Sequence, residues 1–302
     1  MSLALLFPGQ GVQHPDMLAW VDGEPLAQPA LKALAAHLGA DWRQRLSDTD
    51  WATANRQAQP LLTGLSLAAW ACLSPHLPRP DAVLGYSVGE LSAASAAGAF
   101  DVEEALDLAT RRAAAMDAAS GTEPAGLIAV HGPVDERFGL DLAIDLAPDR
   151  AILGGSLALI SAATPALVAR GAEVKPLAIR VASHTPRMAP AAAAFATDIA
   201  PRAWKPPTSS FIANLDGAEL RRPNALKQAL AEQIAHTVQW QRGLSTLAER
   251  RPQCVLEVGP GTTLSRLWAA VRPEIPVRSA DEFRSAEAVI AWARTVLAQQ
   301  GR

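Results

Sequence analysis

The chain is poor in the residues that hold small or exported proteins together: it has two cysteines and one tyrosine in 302 residues. Two cysteines cannot build a disulfide framework, and neither has a redox or metal-ligand spacing. Cys72 and Cys254 both sit among apolar neighbours, so buried thiols are expected. A dominant sign of charge is missing as well. The 27 basic and 30 acidic residues leave a formal net charge of −3, which gives no reason to expect nucleic acid or an anionic membrane as partner. No apolar run approaches the ~20 residues of a membrane span. The opening Met1-Ser2-Leu3-Ala4-Leu5-Leu6-Phe7 lacks the cationic start of a signal peptide. A soluble, cytoplasmic protein is the expectation. Apolar residues are plentiful, at 49% against 19% charged, so the chain can bury a large core.

Short apolar runs bounded by Gly or Pro alternate with Ala/Leu-rich stretches, the pattern of an α/β protein. Leu3 to Phe7 reads as a buried strand leading into the loop Pro8-Gly9-Gln10-Gly11. Leu61 to Leu73 reads as helix, Ala82 to Gly85 as strand, Glu90 to Ala97 as helix, and Val102 to Ala118 as helix with Asp101 at its N-cap. The middle differs. Leu127–His131, Ala143–Leu146 and Ala151–Leu153 read as closely spaced strands, followed by a helix from Leu157 to Arg170 and a strand from Glu173 to Ile179. This βαββαβ-like rhythm suggests a small ferredoxin-like subdomain at 122–186. A large hydrolase-like domain with a parallel central sheet is expected over 1–121 and 187–302. In it Ser209–Ala213 and Val255–Val258 read as strands, and Ala189–Ala194 and the stretch from Ala286 as helices.

Gly85-Tyr86-Ser87-Val88-Gly89 places a serine between an apolar strand and an Ala-rich helix. A serine on such a turn needs small neighbours to project over the sheet edge. The helix start behind it offers unpaired N–H groups to a developing oxyanion, with Val88 N–H the first. Serine is a poor nucleophile until a base takes its proton. Of His14, His37, His76, His131, His184 and His236, His184 lies where the inserted segment returns to the large domain. Sequence distance does not choose between it and His236.

Taken together, the motifs resemble the malonyl-CoA:acyl carrier protein transacylase family, including the acyltransferase domains of fatty-acid and polyketide synthases. Phe7-Pro8-Gly9-Gln10-Gly11-Val12-Gln13, Gln59-Pro60, Gly85-Tyr86-Ser87-Val88-Gly89-Glu90, Arg112 with Met116, Ser183-His184, Val238-Gln239-Trp240 and Glu257-Val258-Gly259-Pro260-Gly261 occur in the family's order across nearly the whole chain. The resemblance implies a Ser87–His184 dyad without an aspartate. It also implies a main-chain carbonyl at Gln239 orienting the imidazole, and Gln10 N–H as second oxyanion donor beside Val88. Arg112 is implied to grip the carboxylate of malonyl-CoA, which a planar guanidinium does through two parallel hydrogen bonds.

Two departures stand out. Tyr86 occupies a position usually held by histidine, where a hydrogen-bonding role and a packing role are both open. Val181-Ala182-Ser183-His184 carries the small serine seen in methylmalonyl-specific polyketide domains but lacks their tyrosine; malonyl is expected, with methylmalonyl left open. The opening motif and Gly-Tyr-Ser-Val-Gly-Glu are similar to the branch of the family that serves bacterial malonate decarboxylase. No metal or nucleotide cofactor is implied. The implied partners are a CoA thioester and an acidic acyl carrier protein, for which Arg111, Arg180, Arg187 and Lys205 are candidate rim cations. The alternative is an α/β-hydrolase-type esterase or thioesterase, which wants an acidic residue between serine and a late histidine. A non-catalytic scaffold is the other.

Overall fold

A computed structural model of the protein describes residues 2–299. In the first half the order is β1 (Leu3–Phe7), α1 (Gln28–Leu38), α2 (Thr49–Thr53), α3 (Asn55–Leu73), β2 (Ala82–Gly85), α4 (Gly89–Ala96) and α5 (Val102–Ala119). The middle holds β3 (Ala125–His131), β4 (Asp141–Ala147), β5 (Arg150–Ser156), α6 (Leu157–Ala169) and β6 (Glu173–Pro176). Then come α7 (Ala189–Ile199), β7 (Ser210–Ile212), β8 (Glu219–Leu220), α8 (Pro223–Glu232) and α9 (Trp240–Glu249). The chain closes with β9 (Cys254–Glu257), α10 (Thr263–Val271), β10 (Val277–Ser279) and α11 (Ala286–Gln299).

Six strands form one sheet in the order β10-β9-β1-β2-β7-β8. All its pairs are parallel except β7 with the short edge strand β8. β1, β2 and β9 are apolar and buried along their whole length, except for the buried carboxylate of Glu257. Such continuous burial is what helices on both faces of a parallel sheet demand. Asp101 caps α5 by accepting from Glu104 N–H, as the sequence implies.

The second sheet is antiparallel, in the order β4-β5-β3-β6, and α6 carries the chain from β5 to β6. The βαββαβ rhythm holds for its strands and second crossover only. Residues 132–140, between β3 and β4, form a loop rather than a helix; Gly132, Pro133 and Gly139 there oppose helix. β6 also stops at Pro176 rather than running to Ile179. A proline is tolerated on this edge strand, and beyond it only Leu177 still bonds β3, its N–H donating to Leu127 C=O at 3.0 Å.

The small sheet is joined to the segment before α9. Asp145 N–H donates to Val238 C=O and Val238 N–H to Ala143 C=O, both at 2.9 Å. Leu127, Ala143, Ile144 and Ile152 of the small sheet pack in one cluster with Leu84 and Ile212 of the large one and with Trp240 of α9. The small sheet therefore rests directly on the elements that carry Ser87.

Candidate active site

Ser87 stands on the turn between β2 and α4 with φ of 56°. That left-handed conformation costs a side-chain-bearing residue roughly 1–2 kcal/mol, so the turn must be held from outside. Tyr86 N–H donates to Phe7 C=O at 2.9 Å, and Glu90 N–H to Ser87 C=O at 3.1 Å. The side chain of Asn214 bonds Gly85 C=O and Ser87 N–H. Gly89 is required by close approach, since a Cβ there would run into the Phe7 carbonyl oxygen.

His184, 1% exposed, also adopts a left-handed conformation, with φ of 62°. Its main-chain N–H donates to Ile234 C=O at 2.9 Å. Its Nε2 lies 2.8 Å from Ser87 Oγ, and its Nδ1 lies 2.6 Å from the Gln233 carbonyl oxygen. A carbonyl can only accept, so Nδ1 carries the proton and Nε2 is free to take one from the serine. Burial, helped by the nearby Arg112 charge, pushes the imidazole down to about 3. A neutral base is thus present across the physiological range.

The orienting carbonyl is that of Gln233, which corrects the expectation of Gln239. The Gln239 carbonyl accepts from Gly243 N–H at 2.9 Å and so opens the hydrogen bonding of α9. Gln233 instead follows the last turn of α8, where carbonyls lack intrahelical donors and carry partial negative charge. That end suits an imidazole that gains a proton.

Arg112 on α5 is 1% exposed. One terminal nitrogen donates to Gln59 Oε1 at 2.8 Å, the other to Ser87 Oγ at 3.2 Å. The second also approaches Gln233 Oε1 at 3.5 Å, and Nε has no protein partner. No carboxylate among the described residues lies within ion-pair distance of it. Burial lowers the guanidinium to about 10, so it remains a cation at neutral pH with donors to spare. Arg111 next door points outward to Asp107 at 2.8 Å.

Gln10 sits in the loop after β1, which Gln13 shapes by accepting from Gly11 and Val12 N–H at 2.7 and 3.0 Å. The main-chain N–H groups of Gln10 and Val88 donate to no acceptor among the described residues. A cavity of about 450 Å³ reaches Gln10 and Tyr86, with walls of Leu146, Ile152, Ile179 and Leu267 and Lys175 beside them. A second, of about 260 Å³, reaches Gln10 from the side of Asn55, Asp117 and Arg180. Tyr86 packs edge-on against Trp240, with ring centroids 4.9 Å apart, and its hydroxyl bonds no group among the described residues.

The structure thus brings Ser87, His184 and Arg112 together and leaves His236 outside, where its Nδ1 meets Glu232 C=O at 2.8 Å on the surface. Sequence reasoning missed Gln233, Asn214 and the role of Gln59. Asn214 and Gln233 each follow or precede a buried apolar pair, which is the one signal that marked them. Arg180 and Arg187 pair with Asp50 and Glu123. Lys205, which is exposed, lines a different cavity with Trp204. Among the described residues no cluster of His, Cys, Asp or Glu could hold a metal ion, and no helix is long and apolar enough to cross a membrane.

A serine on a strand-to-helix turn, bonded to a neutral histidine that a carbonyl holds, defines a serine-dyad enzyme of the acyl-transferring kind. Residues 4–299 match the acyl transferase domain family, and the chain belongs to it. The malonyl CoA-acyl carrier protein transacylase of Mycobacterium tuberculosis is 32% identical over 291 residues, spanning 92% of this chain and 95% of that protein. The crystal structure of malonyl-CoA:acyl carrier protein transacylase from Xanthomonas oryzae pv. oryzae is 29% identical, with a TM-score of 0.87 over 97% of this chain and 100% of that one. The acyl-carrier-protein S-malonyltransferase of Burkholderia pseudomallei is 27% identical, with a TM-score of 0.88 over 96% and 100%.

Proposed function

We propose that this protein moves a malonyl group from malonyl-CoA to the thiol of an acyl carrier protein through an acyl-enzyme on Ser87. The observation that carries the proposal is an unpaired, buried guanidinium 3.2 Å from a serine that is itself 2.8 Å from a neutral histidine. A simple esterase has no use for a desolvated cation beside its nucleophile; an acyl group ending in a carboxylate does. His184 Nε2 takes the Ser87 proton as Oγ attacks the thioester carbon. The N–H groups of Val88 and Gln10 receive the oxyanion, and the proton passes to the departing CoA thiolate. The carrier thiol then attacks the acyl-enzyme, His184 takes its proton, and Ser87 recovers one as the product thioester forms. Arg112 holds the distal carboxylate in both halves.

The apolar cavity beside Gln10 suits the pantetheine arm common to donor and acceptor. Residues 122–186 form, in this reading, a ferredoxin-like unit inserted into a hydrolase-like domain of 1–121 and 187–302. The strand order of the small sheet supports it, with a loop in place of the first helix. The carrier of a malonate decarboxylase is the proposed acceptor, on the likeness of the opening motif and of Gly85–Glu90. No cofactor has a part in the reaction.

The test is incubation with labelled malonyl-CoA, location of the label by peptide mass spectrometry, and a chase with carrier protein or with water. Label on Ser87 that leaves to carrier protein faster than to water is expected. Faster release to water would establish a hydrolase, and absence of label would leave the scaffold reading.

A further inference from the structure

We infer that Asn214 and Glu90 form a clamp that holds Ser87 in its reactive conformation, acting as positioning residues rather than catalytic ones. This rests on Ser87 as the nucleophile. Asn214, 1% exposed, follows β7 and spans the turn with both ends of its side-chain amide. Its Nδ2 donates to Gly85 C=O at 2.6 Å and its Oδ1 accepts from Ser87 N–H at 2.8 Å. These partners allow one orientation only, because the carbonyl cannot donate and the N–H cannot accept. The amide therefore grips the backbone on either side of Tyr86. It closes the positive-φ kink that aims Oγ at His184.

The clamp is itself anchored. Asn214 N–H donates to Glu90 Oε1 at 2.6 Å, and Asn214 C=O accepts from Gln239 N–H at 2.7 Å. Glu90 lies in the first turn of α4, and its own N–H donates to Ser87 C=O at 3.1 Å. Ser87, Asn214 and Glu90 thus form a closed ring of hydrogen bonds. This ring gives Gln239 a task, since its N–H fixes Asn214 rather than its carbonyl fixing His184. Glu90 is fully buried, its Oε2 has no protein partner, and it forms no ion pair with Arg112. A buried carboxyl so poorly compensated is costly to keep, which points to a task in holding the turn. Burial pushes it up to about 8, so glutamine mimics the form it holds at neutral pH.

The experiment measures labelling of Ser87 by a fluorophosphonate, which needs an activated serine but no malonyl group, alongside steady-state malonyl transfer. Asn214→Ala and Glu90→Leu are expected to slow labelling and kcat on the order of 10- to 100-fold while KM for malonyl-CoA moves less than about threefold. Glu90→Gln, which still accepts from Asn214 N–H, recovers to within about threefold of wild type. Asn214→Asp keeps the shape and Oδ1 but loses the bond to Gly85, and falls between the two. Far-UV circular dichroism selects the folded variants, and Asn214→Asp serves if Asn214→Ala does not fold. Wild-type labelling rates in folded Asn214→Asp and Glu90→Leu would overturn the clamp. An unlabelled wild-type protein would overturn Ser87 as nucleophile, and the clamp with it.

Discussion

Two strand-to-helix turns flank the loop after β1, and they use the same residue type to opposite ends. On one side β2 passes into α4 at Ser87; on the other β9 passes into α10 at Glu257-Val258-Gly259-Pro260-Gly261. Each turn presses a glycine onto that loop, Gly89 against Phe7 and Gly259, at φ of 153°, against the Pro8 ring. Each buries a glutamate completely. Glu257 is satisfied at both oxygens, accepting from Leu264 N–H at 3.2 Å and Ser265 N–H at 2.8 Å, and so caps α10. Glu90 is satisfied at one oxygen only, through the backbone that steadies Ser87. The turn that carries the proposed nucleophile keeps the strained serine and the under-bonded carboxyl; the other turn keeps neither. Strain thus sits where the proposed chemistry is.

The hardest blow to this contrast falls on the reactive turn. Ser87→Ala is expected to lower transfer by roughly 10⁴-fold or more with no fall in melting temperature; a large loss of stability would mean the serine is structural. Arg112→Ala should lose about 2–4 kcal/mol in kcat/KM for malonyl transfer and keep or improve acetyl transfer. Equal losses for the two acyl groups would remove Arg112 from substrate recognition. On the supporting turn, Glu257→Ala should reduce unfolding free energy by about 1–3 kcal/mol, read by urea titration, while kcat of the folded protein stays within about twofold.

The pH dependence sharpens the same contrast. The folded carboxyls of Glu90 and Glu257 are raised by burial, to about 8 and about 7. The stability they give is complete below the ordinary glutamate range and is lost as pH rises through those values. His184 is lowered to about 3, so stability falls as pH drops from the ordinary histidine range toward that value. Unfolding free energy should therefore decline as pH rises from the ordinary glutamate range to about 8, less steeply below about pH 7 in Glu257→Gln, with kcat/KM nearly flat on the acid side down to about pH 5. The smallest effect belongs to Tyr86→Phe. The hydroxyl has no protein partner, so transfer should change by less than about threefold. A larger change in KM than in kcat would give the phenol a contact with substrate.

Much of this contrast was legible in the letters, for a physical reason. Strand β1, strand β2 and the Ser87 turn are set by local apolar runs and by glycines that close packing requires. Arg112 and His184 were reached through the resemblance, which brought together residues that lie far apart in sequence. The choice of orienting carbonyl was not legible. Any main-chain oxygen serves, so side-chain identity marks neither Gln233 nor Gln239, and the α8 terminus decides. Asn214 was missed for another reason: its side-chain role exists only once β7 lies beside β2. The loop at 132–140 shows the limit of rhythm, because it carries the chain from β3 past β5 to β4, a crossover usually made by a helix.

Gln233 joins two tasks that the chemistry keeps separate. Its main-chain oxygen meets Nδ1 of the proposed base His184, while its side-chain oxygen comes within 3.5 Å of Arg112, the proposed reader of negative charge. Both are borne by the end of a single helix, so any drift of α8 moves them in concert. On the proposed roles, recognition of the acid and readiness of the base are coupled through the placement of α8, while a substitution of the Gln233 side chain would touch only the first, since the main-chain oxygen remains.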